Sequence, residues 1–163
     1  MPMEIRKNVR GIAHDADVAR ITLIRVPDRP GIAAAIFQPL AEANISVDTI
    51  AQSSGADGTT DLSFTISSRS LEKAVEITSQ VAPRIAAESV DAADDLAKVS
   101  IVGTGMQSAP GYAARMFGAL ASADINIAII STSDIRITCV VPRDRVEDAV
   151  RILHQAFELD RED

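Results

Sequence analysis

Ile32, Ile36, Phe37 and Leu40 recur at helical spacing, so their side chains share one face of a helix. Tyr112, Met116, Phe117 and Leu120 form the same stripe further on. Two more amphipathic helices are predicted over residues 71–81 and 146–157. Between the helices the period changes to two. Leu62, Phe64 and Ile66 alternate with polar neighbours, as do Ile135, Ile137, Cys139 and Val141, and each set predicts a half-buried strand. Residues 21–26 are β-rich and stop at Pro27, and residues 45–52 read as a further strand. Asp28 or Arg29 opens the first helix, with Pro30 in a first turn that does not need its missing N–H. Pro39, late in that helix, is expected to kink it, since an interior proline costs about 3 kcal/mol.

These elements occur twice. Pro30-Gly31-Ile32-Ala33-Ala34 returns as Pro110-Gly111-Tyr112-Ala113-Ala114, a shift of 110 − 30 = 80 residues. The same shift carries Ile21, Phe37, Leu40, Ile45 and Ile50 onto Ile101, Phe117, Leu120, Ile125 and Ile130. Ser108 takes the place of Asp28 and can also cap a helix. Later the register slips, because Asp61 matches Asp134 at a shift of 134 − 61 = 73. The first copy therefore carries about seven extra residues around Ser53-Ser54-Gly55-Ala56-Asp57-Gly58, whose composition places them in a hairpin loop. Each copy reads β-α-β-β-α with a possible last strand, a split βαβ unit with an antiparallel sheet and helices on one face. The strand-like segment at 9–12 precedes the first copy, and the second lacks a clear final strand, so the N-terminal segment is expected to complete the second sheet. That gives an N-terminal segment over 1–19, a first domain over 20–92 and a second over 93–163, the copies being joined near Asp91–Lys98, where the acidic run Asp91-Ala92-Ala93-Asp94-Asp95 is expected to be a solvated linker.

Composition narrows the functional classes. The chain has 163 residues, a net charge of −7, 3% aromatic residues and no Trp, which disfavours binding to a nucleic-acid backbone or stacking on bases. No apolar run approaches the roughly 20 residues of a membrane helix, and no signal peptide opens the chain, so a cytoplasmic location is expected. Cys139 is the single cysteine, and its place on an apolar strand face reads as core. His14 and His154 lack metal-ligand spacing; no metal, cofactor or catalytic constellation is expected, although whether the chain serves an enzyme stays open. Gly103-Thr104-Gly105 follows a strand, but without a third glycine it reads as a turn rather than a dinucleotide loop. The tail Asp160-Arg161-Glu162-Asp163 is expected to fray.

One turn has the chemistry of a small-molecule site. In Asp28-Arg29-Pro30-Gly31 the glycine leaves room for a ligand, and the helix start offers N–H groups with partial positive charge to a carboxylate. Asp28 or Asp48 would suit the ammonium of an amino acid. The alternative is that Asp28 only caps the helix and Pro-Gly only shapes the turn.

Two stretches carry a family resemblance. Val26-Pro27-Asp28-Arg29-Pro30-Gly31-Ile32-Ala33 with Ala43-Asn44-Ile45-Ser46-Val47-Asp48 resembles an ACT domain, a small amino-acid-sensing module. Lys98 to Gly103, Gly105-Met106, Pro110-Gly111, Ile125-Asn126-Ile127 and Ile130-Ser131-Thr132-Ser133-Asp134-Ile135 resemble the tandem ACT region of bacterial aspartate kinase. Gly11-Ile12-Ala13-His14-Asp15 is similar to the segment before that region, so the resemblance covers nearly the whole chain. It implies an α+β fold of two ferredoxin-like ACT domains (βαββαβ). It also implies feedback control of aspartate phosphorylation by threonine, lysine or both, by a regulatory β subunit or the matching part of a longer kinase. The alternative is a sensor or assembly module with no attached kinase. The implied partners are a second copy of the chain and a catalytic α subunit. The implied effector site lies between the first ACT unit of one chain and the second of its partner. Its first side is Asp28, Arg29, Pro30, Gly31, Ile32, Ala33, Asp48 and Gln52, with Arg29 standing where the family commonly has lysine. The facing side is Tyr112, Ala113, Asn126, Ile127 and Ser133. Asn126 falls on Ser46 under the repeat shift, so the two units are not chemically equivalent.

Overall fold

The computed structural model describes residues 9–105 and 111–159. Its strands are β1 (Val9–Pro27), β2 (Ile50–Ser54), β3 (Thr59–Ser67), β4 (Ser89–Gly103), β5 (Ile129–Thr132) and β6 (Arg136–Pro142). Its helices are α1 (Ile32–Glu42), α2 (Leu71–Arg84), α3 (Gly111–Ser122) and α4 (Val146–Ala156). The described chain divides into two compact units. The first is Asp17–Asp94; the second combines residues 9–16 with residues from 95 onward. β1 and β4 each pass from one unit into the other.

In the first unit the strand order is β2-β3-β1-β4. β3 pairs antiparallel with β1, from Val18 opposite Ser67 to Pro27 opposite Thr59, and with β2, from Ile50 opposite Phe64 to Ser54 opposite Thr60. Ile21, Leu23, Leu62, Phe64 and Ile66 therefore point to one face. There they meet Ile32, Ile36 and Leu40 of α1 and Ala74 and Val81 of α2 in a single core. The Phe37 ring stands edge-on to Phe64, with centroids 5.3 Å apart. Full burial of each such apolar side chain stabilises by roughly 1.5–3 kcal/mol, which is what holds an otherwise marginal 11-residue helix in place.

The second unit repeats this with the start of β1 beside β4, followed by β6 and β5. Ala97, Val99 and Ile101 face Ile137, Cys139 and Val141, and Tyr112, Met116, Leu120, Ala149 and Leu153 cover them from α3 and α4. Val9 is buried in this core although it begins the strand that later serves the first unit. Burial along residues 31–50 and 111–130 follows one pattern, departing only at Ala33 against Ala113 and at Ala35 against Arg115. The duplication is thus one of packing as well as of sequence.

Several expectations need correction. Residues 9–12 and 21–26 are one unbroken strand, because pairing carries β1 through the polar residues between them. The acidic run at 91–95 is not a linker but part of β4; its Asp side chains lie exposed while its backbone stays in the sheet. The strand predicted from 45 starts only at Ile50, since the Thr49 N–H is taken by Thr65 Oγ1 at 3.1 Å instead of a ladder carbonyl. Ile135 lies outside β6 and is 57% exposed, because the hairpin turn occupies its position. The first helix opens after Gly31, not at Asp28 or Arg29. It runs through Pro39 to Glu42. Ser108, Met106, Pro110 and the acidic tail at 160–163 lie outside the described residues.

Candidate functional site

The Asp28-to-Ala33 segment is shaped by Gly31. Its φ of 92° lies in the left-handed region, which residues with a Cβ adopt only under strain, and it serves as the N-cap of α1 with no side-chain cap. Asp28 therefore does not cap the helix. Its N–H donates instead to the Gly58 carbonyl in the β2–β3 turn, at 3.0 Å. Asp28, Arg29, Pro30, Gly31 and Ala33 are exposed, while Ile32 is buried and anchors the turn to the core. N–H groups in the first turn of a helix have no acceptor within it, so α1 presents donors and a partial positive charge at an exposed glycine turn.

Gln52 and Ile50 sit on edge strand β2, opposite Leu62 and Phe64, and so lean to the face that carries α1 and α2. Gln52 is exposed, and Ile50 is 55% exposed despite its size. Asp48 is exposed just before this strand, its N–H donating to the Thr65 carbonyl at 3.0 Å. The first set of predicted residues thus lies on one unit, at the start of α1, on edge strand β2 and just before that strand.

The second set lies on the other unit and is less uniform. Tyr112 is 1% exposed and packs into the core, so the whole residue is covered within its own unit. Ala113 is half-buried at the start of α3, Ile127 is half-buried against the core, and Asn126 is exposed. Ser133 closes the β5–β6 turn by donating its N–H to the Arg136 carbonyl at 2.8 Å.

Sequence reasoning missed the groups behind the first-unit turn. Arg25, Asp57 and Asp61 line a groove of about 370 Å³ with Ser53, Ser54 and Thr59. Asp57 Oδ1 accepts the Thr59 hydroxyl at 2.6 Å and the Thr59 N–H at 3.1 Å. These bonds, with the Arg25 guanidinium nearby, hold its carboxyl below the usual carboxylate range. The available signal was the seven-residue excess of the first hairpin, which marked a longer loop but not its chemistry. Among the described residues no cluster of three His, Cys, Asp or Glu could hold a metal ion. His14 is exposed and His154 half-buried.

Comparison with known proteins bears on this geometry. ACT-domain family models match residues 20–83 and 99–157. The crystal structure of the regulatory subunit of aspartate kinase from Thermus thermophilus, in its ligand-free form, superposes with a TM-score of 0.88 at 43% identity, covering 93% of this chain and 99% of that one. The chain belongs to the aspartate kinase family, as its tandem ACT regulatory part. A crystal structure of aspartokinase alpha and beta subunits matches this regulatory chain at 45% identity with a TM-score of 0.86, covering 92% of it and 99% of that chain. The aspartokinase of Pseudomonas aeruginosa is 47% identical over 152 residues, 93% of this regulatory chain. The chain spans 37% of that relative's length. Each unit of the regulatory chain is accordingly an ACT domain, with its antiparallel sheet backed by two helices.

Proposed function

We propose that this regulatory chain senses threonine, lysine or both, and conveys feedback inhibition to a catalytic aspartate kinase subunit in the cytoplasm. The observation that carries the reading is the exposed glycine turn at the start of α1, set beside exposed Gln52 on an edge strand. That turn offers N–H donors to an amino-acid carboxylate, while Asp28 and Asp48 supply negative charge for its ammonium. The facing side, Tyr112, Ala113, Asn126, Ile127 and Ser133, comes from the second unit of a partner chain in a homodimer. An effector held between chains favours the paired geometry, and this difference in affinity is what an attached kinase feels. The energies needed are modest: a millimolar to ~10 µM effector binds with roughly 4–7 kcal/mol, and about 1.4 kcal/mol of coupling already shifts the equilibrium between the two states tenfold.

Isothermal calorimetry with L-threonine and L-lysine tests the proposal. Saturable heat with at least one is expected, and Gln52→Ala or Asn126→Ala should weaken it about tenfold while the melting temperature of the unliganded chain holds. Absence of heat with both amino acids at millimolar concentration refutes it. A pure assembly module is the second reading, favoured by the exposed Ile50, Ile130 and Ile135. It predicts a melting temperature that no amino acid moves.

A further inference from the structure

The geometry points to Arg25 as a positioning residue for the effector turn, holding the β2–β3 hairpin against Asp28 by its ion pair with Asp57. The inference rests on the reading that the turn at Asp28–Gly31 receives the effector. β1 carries a bulge here: Leu23 stands opposite Leu62 and Val26 opposite Thr60, so Ile24 and Arg25 share Asp61 as their only counterpart. Arg25 adopts φ 53°, a left-handed conformation that a side chain with a Cβ accepts only when its surroundings impose it. Three contacts impose it. The Arg25 N–H donates to Asp61 Oδ1 at 2.9 Å, Nη2 lies 2.8 Å from Asp57 Oδ2, and Nε lies 3.6 Å from Glu88 Oε2.

From Asp57 the connection continues. Its other oxygen binds Thr59, the Thr59 carbonyl accepts the Gly55 N–H at 2.8 Å, and the Gly58 carbonyl between them accepts the Asp28 N–H. The guanidinium is thus joined through a single loop to the backbone of the effector turn. Gln52 lies one residue before Ser53, which lines the same groove.

The second copy supplies the internal control. Under the shift of 105 − 25 = 80 the counterpart of Arg25 is Gly105, also left-handed at φ 67°. Glycine takes this conformation without strain, so the backbone alone does not call for an arginine. There β4 and β6 pair as far as Val102 opposite Arg136 without a register shift, and the shorter turn is closed by Ser133. Where the long hairpin must be held, a charged side chain occupies a position that conformation would give to glycine.

The test separates charge from backbone. Arg25→Gly relieves the left-handed strain and removes the guanidinium; Arg25→Lys keeps a positive charge. Binding of L-threonine and L-lysine is measured by calorimetry on the full chain, alongside thermal unfolding without ligand. Arg25→Gly is expected to bind the effector about three- to tenfold more weakly with a melting temperature equal to or above that of the unsubstituted chain. Arg25→Lys should recover most of the affinity. Unchanged affinity in Arg25→Gly, or a lysine variant as weak as the glycine one, overturns the positioning role while leaving the sensor reading intact. An unsubstituted chain that binds neither amino acid overturns both.

Discussion

Cys139 shows how far a single residue is governed by its surroundings. Its side chain is fully buried on β6, with Sγ 4.0 Å from Met116 Sδ, and desolvation pushes the thiol from its usual 9.0 to about 12. In the unfolded chain the thiol ionises near its usual value, so between pH 9 and pH 12 unfolding releases a proton that the folded state retains. The stabilisation is complete below pH 9 and is lost as the pH rises towards 12. Urea unfolding at several alkaline pH values should therefore show a steeper loss of stability in the unsubstituted chain than in Cys139→Ala. Parallel slopes would place the thiol in water. The same burial predicts slow labelling by a maleimide in buffer and rapid labelling in denaturant.

At the scale of elements, all four described helices end alike. Ile45, Ala87, Ile125 and Leu159 donate their N–H groups to the carbonyls of Leu40, Ala82, Leu120 and His154, at 2.8–3.0 Å. The residues just before them, Asn44, Ala86, Asp124 and Glu158, are left-handed. These are Schellman ends built without glycine. Ala86 is exposed and has φ 60°, so Ala86→Gly should raise the unfolding free energy by about 1 kcal/mol, the relief of left-handed strain exceeding the added chain entropy. An unchanged or lower thermal midpoint would contradict this. The helices themselves were legible from the sequence, because Ile32, Ile36 and Leu40 must share a face to be buried together. The strand through residues 13–17 and the acidic residues of β4 were not, because they set no apolar residue at every second position and pairing alone extends them. Residues 45–49 failed the other way. Their β-branched side chains favour a strand, but a buried threonine hydroxyl from β3 displaces the ladder bond.

At the scale of the molecule, the exposed glycine turn was readable from Asp-Arg-Pro-Gly and the long hairpin from the seven-residue excess of the first copy, whereas the contacts that join the two were not. A bulge and a left-handed arginine are properties of a backbone path, and no side-chain pattern announces them. The repeat makes one more feature interpretable. Ile50 on β2 and Ile130 on β5 are equivalent under the 80-residue shift, lie on the edge strand of their respective units, and are 55% and 50% exposed. A large apolar side chain at an unpaired sheet edge invites pairing with another chain, and finding it at the same place in both copies argues for a purpose. Under the homodimer proposed above, each of these edges is covered by the partner. Replacing Ile50 or Ile130 with Lys puts a charge where apolar contact is needed and should move the chain from dimer to monomer in sedimentation velocity. Because the proposed effector site spans the two copies, the same variants should lose threonine or lysine affinity in proportion to dissociation, and effector added to the unsubstituted chain should drive association. A chain that sediments as a monomer with or without effector, unaffected by either substitution, would show that these isoleucines serve another surface.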